Sequence, residues 1–312
     1  MYCLSLRLSK LIMLVIGWLT LASTNANATL QTIQVTDNVY ALVGELSNRS
    51  TSNLGNNATF GIIVTQDSVV LIDSGAGTLA AQAIETQVRK ITPLPISHVI
   101  NTGGQDHRWL GNAYFYQQGA QIIASLAAIT DHNERAGDQL NKLNNLLSQD
   151  PMQGLEPMTA QRTFTESLDL QVGGVKLEIR HLGAAHTPGD TWVYLPEQKI
   201  LFTGDIAYGQ RMLGVIEVSD SASWIQVFAA MAELDSQQVI PGHGLPSDIN
   251  TLTAQSYDYL VHLRTAVGDF IDQGGDLSDI RQVDQSKFSY LRNYEGIAPG
   301  NALRVFEQME WE

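Results

Sequence analysis

Residues 186–205 read HTPGDTWVYLPEQKILFTGD, and the architecture is decided in this stretch. Two apolar, β-prone runs, Thr191–Leu195 and Ile200–Thr203, flank Pro196-Glu197-Gln198-Lys199, so the middle reads as a β-hairpin. Both ends of the hairpin open into glycine-bearing loops that carry possible metal donors, His186 before it and Asp205 after it. Farther on, Val239-Ile240 is a strand that ends at Pro241-Gly242-His243-Gly244. Loops that follow strands collect side chains from distant parts of a chain at one sheet edge. His186, Asp205 and His243 are donors suited to zinc, or to iron or manganese.

Upstream, Val35–Glu45 reads as two short strands around an Asp-Asn turn, and Phe60–Asp73 as a hairpin turning near Gln66-Asp67. Gly75-Ala76-Gly77 ends that hairpin, and Leu79–Ile91 has helical spacing. His98-Val99-Ile100 is a strand running into the glycine-rich loop at Gly103-Gly104, and Gln121–Ala124 is another strand. Residues 133–160, polar and rich in Asn and Gln, read as a surface insertion with helical fragments at Leu140, Leu143 and Leu147. Leu168–Leu182 turns on Gly173-Gly174, and Ser221–Leu234 reads as a serine-capped helix. Leu252, Leu260, Leu263, Val267 and Phe270 mark a final long helix, so a helical C-terminal segment begins near residue 252. Strands grouped with helices, twice over, describe an α/β protein in which sheets are flanked by helices.

The N-terminus carries targeting features. Arg7 and Lys10 precede an apolar run of 12 residues, Leu11–Ala22, too short to span a bilayer comfortably, and Ala26-Asn27-Ala28 offers a cleavage site. Residues 1–28 are therefore expected to be a signal peptide, and residues 29–312 a single domain of 284 residues, periplasmic or secreted, without stable membrane insertion after cleavage. The chain has 18 basic and 32 acidic residues; without Arg7 and Lys10 it has 16 basic residues and a net charge of −16. Such a surface repels phosphate backbones, which excludes nucleic acid as an expected partner. The one cysteine, Cys3, lies in the signal, so the mature chain has neither disulfide nor thiolate ligand.

The motifs AHTPGDT (185–191), LFTGD (201–205) and IPGHG (240–244), in this order and spacing, resemble the later motifs of the metallo-β-lactamase superfamily. VYALVG (39–44), GIIVTQDSVVLIDSG (61–75) and INT (100–102) are similar to its opening strands. The resemblance covers about residues 33–265. Within the superfamily the chain looks most like secreted hydrolases of the quinoprotein-relay type, which share the segment seen here as Asn112–Phe115. The resemblance implies an αββα four-layer sandwich with metal at the sheet edge and a catalytic water.

The departure lies in the first motif. The superfamily pattern after Asn-Thr is His-x-His-x-Asp-His, whereas residues 101–112 read NTGGQDHRWLGN. Without gaps, Gly103 and Gln105 replace the first two histidines, His107 takes the aspartate position and Arg108 the last histidine. Shifting by one residue instead makes Asp106-His107 the Asp-His pair, at the cost of a deletion and an insertion. His107 is a ligand candidate in both registers. Glycine cannot bind metal and Gln105 offers only a neutral amide oxygen, so one metal is expected rather than two, held by His107, Asp205 and His243 with His186 as a possible fourth ligand. Zinc is the expected ion, with iron or manganese as alternatives.

The expected activity is metal-dependent hydrolysis of a small-molecule substrate by an activated water. Asp106 or Asp205 would accept a proton, and Arg108 would stabilise a developing oxyanion. The rival reading is a non-catalytic binding protein that keeps the fold, and a β-lactamase is a narrower version of the first. Asp190 resembles an aspartate that orients a ligating histidine. Tyr208-Gln210-Arg211 borders a possible substrate groove, and Arg108 and Trp109 either line the site's mouth or form a structural salt bridge and a packed indole. His98 and His181 read as packed or hydrogen-bonded residues, and His132 and His262 as surface residues.

Overall fold

The computed structural model describes residues 30–310 and 312, and the expected signal segment lies outside them. The first sheet runs in chain order through β1 (Gln31–Gln34), β2 (Val39–Val43), β3 (Thr59–Val64), β4 (Val69–Ile72), β5 (Ile96–Ile100), β6 (Gln121–Ser125) and β7 (Arg162–Phe164). It is antiparallel from β1 to β4 and parallel from β4 to β7. Its helices are α1 (Thr78–Ile91), the short α2 (Asp106–Trp109) and α3 (Asn112–Gln117), and α4 (Leu126–Leu147).

The second sheet contains β8 (Ser167–Val172), β9 (Val175–Arg180), β10 (Trp192–Leu195), β11 (Ile200–Phe202) and β12 (Gln238–Ile240), in the order β12-β11-β10-β9-β8. The parallel β11–β12 pair is bridged by α5 (Ser221–Ala232). The chain closes with α6 (Ile249–Leu252), α7 (Asp258–Asp272) and α8 (Tyr294–Met309).

Period-2 alternation builds the layers. In β2, Val39, Ala41 and Val43 enter the core between the sheets, while Leu42 faces the helices of the first half. In β4, Val70 and Ile72 point between the sheets and Val69 and Leu71 point outward. In β11, Ile200 and Phe202 meet them from the other sheet, and Leu201 turns to the helices behind. Each of these three strands is thus apolar on both faces, as a sheet covered on both sides requires. Each aliphatic or phenyl side chain fully buried in this way contributes about 1.5–3 kcal/mol. The result is the four-layer αββα sandwich.

Three elements differ from the sequence reading. Residues 126–147 form one continuous helix rather than the start of a surface insertion, because Leu143 and Leu147 pack inward. The cap of α5 is Asp220, whose carboxylate accepts the Ser223 N–H, and not Ser221. The helix expected to be last is followed by α8, whose pattern Gly296, Pro299 and Gly300 obscure in the sequence. No helix among the described residues is long and apolar enough to cross a membrane.

Candidate metal centre

Loops after β4, β5, β11 and β12 meet at one edge of the sandwich, and Arg108 sits beneath their meeting point, fully buried. Its five N–H donors are all spent. Nε and Nη2 donate to the two oxygens of Asp205 at 3.1 and 2.7 Å, and Nη1 donates to Asp73 Oδ2 at 2.8 Å. The remaining two go to the backbone carbonyls of Thr59 (3.1 Å) and Gly242 (2.9 Å). The oxyanion role expected for Arg108 does not fit this placement, since no donor is left to face a cleft.

Burial by itself would raise the Asp205 carboxyl, but the Arg108 guanidinium and the neighbouring imidazoles hold it well below the usual carboxylate range. Asp73 has the same partner yet is pushed up to about 6, because burial outweighs the pull of Arg108 and the hydrogen bonds from Thr102.

Above Asp205 stand His107 and His243. Their Nε2 atoms lie 3.4 Å from Oδ2 and 3.3 Å from Oδ1, and the three side chains bring one ligand atom each within 4.8 Å of one another. A hydrogen bond to the Asn57 carbonyl at 2.8 Å fixes the proton of His243 on Nδ1, so its Nε2 turns a lone pair toward a carboxylate oxygen. The buried Nε2 of His107 has no hydrogen-bond partner. Two acceptors facing each other and an orphaned buried nitrogen are what a shared cation resolves, and the residues therefore fit a metal. Burial, before any charge effect, keeps all three relevant imidazoles below the ordinary histidine value: His107 falls well below it, His243 to about 4, and His186 also drops.

His186, expected as a fourth ligand, stands apart from the trio. Its Nδ1 is tied to the Gly214 carbonyl at 2.9 Å, and its ring meets Trp224 and Tyr208 edge-on. It lines the same cleft, of about 350 Å³, together with His107, His243, Tyr208, Arg49 and Arg211. Asp106, expected as a proton acceptor, is drawn elsewhere: it pairs with Arg49 and accepts the backbone N–H of His107. This division, His107 toward the metal donors and Asp106 away from them, is the arrangement of the gapless register.

Of the two positions without their histidine, Gly103 is closed: a Cβ there would lie 2.3 Å from Asp190 Oδ1. Gln105 lines the cleft instead, and a Cβ on Gly104 between them would lie only 1.6 Å from Asp131 Oδ2. Asp190 thus does not orient a histidine; its carboxylate accepts the N–H and hydroxyl of Thr187, at 2.9 and 2.5 Å. Burial and then the charge of Asp205 push Asp190 up to about 8.

Helix α4 clamps this loop from below. Arg135 and Gln139 donate to the Gly104 carbonyl, and His132 Nε2 donates to that of Gly103. His132, expected at the surface, is buried and stacked 4.3 Å above Trp109, whose indole N–H donates to Gln139. The spacing of Asp131, Arg135 and Gln139, one face of a helix, was the available signal for this clamp. Arg49 and Asp73 carried none. Of the other histidines, His98 bonds Ser97, His181 bonds the Asp190 carbonyl and His262 the Asp284 carbonyl, all away from the trio.

A family model described as the metallo-beta-lactamase superfamily matches residues 55–243, more than half of the chain. The alpha subunit of 2,4-dinitroanisole O-demethylase from Nocardioides sp. (strain JS1661) is 26% identical over 87 residues, 28% of this chain and 26% of that protein. A type 2 metallo-beta-lactamase from Bacteroides fragilis is 31% identical over 85 residues, 26% of this chain and 34% of that protein. These matches span about a third or less of the curated relatives. Among solved structures, a metallo-beta-lactamase from Pontibacter korlensis has 22% identity, TM-score 0.61, and coverage of 74% of this chain and 99% of that one. A stereoselective inverting sec-alkylsulfatase from Pseudomonas sp. has 18% identity, TM-score 0.67, and coverage of 91% and 51%. At such identities the likeness is one of fold.

Three outcomes follow from this geometry. Arg108→Met leaves Asp73 and Asp205 buried without their cation, and denaturant titration should show a loss of about 3–5 kcal/mol. Gly103→His should not restore a second metal by elemental analysis, and should cost at least about 1–3 kcal/mol through overpacking.

The third concerns pH. In the metal-free protein Asp190 keeps its proton up to about pH 8, whereas the unfolded carboxyl loses it near 3.8. The folded state therefore binds the extra proton, and this group's contribution to stability falls as pH rises between those values. The urea midpoint of Asp190→Asn, relative to the parent, should climb across that window; a constant difference would contradict the assignment.

Proposed function

Because the chain belongs to the metallo-beta-lactamase superfamily, which includes metal-dependent hydrolases, we propose that it hydrolyses a small-molecule substrate with one metal held by His107, Asp205 and His243. The observation that carries this reading is the convergence of the Nε2 atoms of His107 and His243 on one ionised carboxylate, with the His243 nitrogen bare of its proton. Two imidazoles and one carboxylate suit zinc, and the same donors accept iron or manganese. When bound, such an ion acidifies a water molecule and polarises the scissile carbonyl or ester oxygen.

The protein's own groups divide the remaining work. Asp205 supplies the negative charge, and Arg108 keeps it ionised and fixed in orientation from below. His186, with Nδ1–H committed to Gly214, presents its Nε2 lone pair to the cleft and serves as proton acceptor. This is a part that Asp106, held by Arg49, does not take. Tyr208 stacks on the His243 ring at 4.5 Å and holds its plane.

The cleft walls carry Arg211 and also Arg49, the latter already paired with Asp106, and no carboxylate side chain is among the lining residues. Arg211 is held by the Leu46 and Ser47 carbonyls and has no acidic partner among the described residues. In so acidic a chain, this favours a substrate bearing an anionic group. Export to the periplasm or medium, directed by residues 1–28, places the reaction outside the cytoplasm. The competing reading of a binding protein without turnover has one observation in its favour, the close packing of Gly103 on Asp190 where the other metal position would have a histidine.

Elemental analysis of protein purified without chelator should give about one metal per chain, lost in His107→Ala and His243→Ala and kept in His98→Ala. A screen of esters, thioesters, lactones, β-lactams and phosphodiesters should find turnover that Asp205→Asn abolishes. His186→Gln should keep the metal yet lose most of the rate, and substrates carrying a carboxylate should outrun neutral analogues. Absence of turnover above the Asp205→Asn level favours the binding protein. Full activity in His186→Gln removes that residue from its role.

A further inference from the structure

The other nitrogen of His107 presents a conflict with metal binding. Nδ1 lies 3.1 Å from Nη2 of Arg49. A guanidinium only donates, so Nδ1 is the acceptor in this contact, and a neutral ring then carries its single proton on Nε2. Nε2 is the atom that faces Asp205, and a protonated nitrogen has no lone pair to give a metal. His186 and His243 have the opposite polarity, each with Nδ1–H on a carbonyl. The Arg49 contact and ligation by neutral His107 exclude each other.

Asp106 stands where the two states meet. One of its oxygens pairs with Arg49, and the other lies 3.5 Å from Nδ1 of His107. Arg49 belongs to the β2–β3 loop, and its side chain remains 22% exposed. It lines both the metal cleft and a neighbouring cleft of about 430 Å³, whose walls include Asp138 and Glu217. The guanidinium therefore has both room and carboxylates to move toward.

Resting on the metal-site reading above, we infer that Arg49 is a latch on the metal centre. Seated on His107, it holds the tautomer that cannot ligate. Withdrawn, it lets Asp106 accept Nδ1–H and frees Nε2. Arg49 acts through His107 and is a positioning residue.

The latch is testable on the full chain after chelator treatment. Long-range ¹H–¹⁵N correlation of the imidazoles should show the Nε2–H tautomer for His107 and Nδ1–H for His186 and His243. Arg49→Met should convert His107 to Nδ1–H. Zinc affinity, measured by competition with a chelating dye, should tighten about tenfold or more in Arg49→Met, the scale on which partners of ligating histidines act. Arg211→Met removes the same charge from the same cleft and should tighten it much less. Adding Asp106→Asn to Arg49→Met should weaken binding by about tenfold again.

Were Arg49 merely a loop tie, its loss would weaken zinc binding. Were it merely a charge, Arg211→Met would match it. Either result overturns the latch, as does an Nδ1–H signal from His107 in the parent. Equal zinc binding by every variant removes the latch and leaves the metal site standing; no zinc binding by any of them removes both.

Discussion

A guanidinium with every N–H spent, buried between two carboxylates and two backbone carbonyls, is the constraint on which the metal edge depends. Arg108 joins the end of β4 through Asp73, the start of β3 through Thr59, the loop after β11 through Asp205 and the loop after β12 through Gly242. Both sheets are thus tied at one atom group. Burying a guanidinium and two acids is costly unless the geometry satisfies all of them, and here every donor is used. The same contact keeps Asp205 ionised in a place where burial alone would neutralise it. Fold and prospective chemistry share one ion pair.

The floor laid by Arg108 also shapes what the edge can bind. With a fixed cation below Asp205, the proposed site above it is one for a single additional cation close to that carboxylate. The space beside it is taken by backbone: Gly103 packs on Asp190 and Thr187, and Gly104 on Asp131. Helix α4 secures this backbone through Arg135, Gln139 and His132. The absence of a histidine at 103 is thereby built into the packing, and placing an imidazole there requires the second sheet's loop to move, whereas Gln105 lines the cleft.

How much of this was legible in the sequence depended on whether the signal was local. The hairpin at 191–203 and the strand before His243 could be read directly, because alternation and turn residues are short-range. His107, Asp205 and His243 were legible through motif order. The role of Arg108 was not: neighbouring residues 106–109 share one helical turn and point in four directions, so sequence alone could not separate the cleft mouth from the core. Asp73 and Arg49 come from loops far away in the chain, and only tertiary structure brings them together. His186 followed its motif into the cleft, where the Gly214 carbonyl holds its Nδ1–H, but the ligand atoms that converge are those of His107, Asp205 and His243. Helix α8 was hidden because Gly296, Pro299 and Gly300 break its pattern, though tertiary packing of Ala302, Val305 and Phe306 sustains it.

The central claim is that the edge holds a single metal above Arg108. A crystal of the protein grown with zinc, with diffraction recorded at the zinc absorption edge, tests it most directly. The account predicts one anomalous peak per chain, within coordination distance of the Nε2 atoms of His107 and His243 and of the Asp205 carboxylate. Two peaks, or one peak centred on His186 and the Gly103–Gln105 segment, would contradict it.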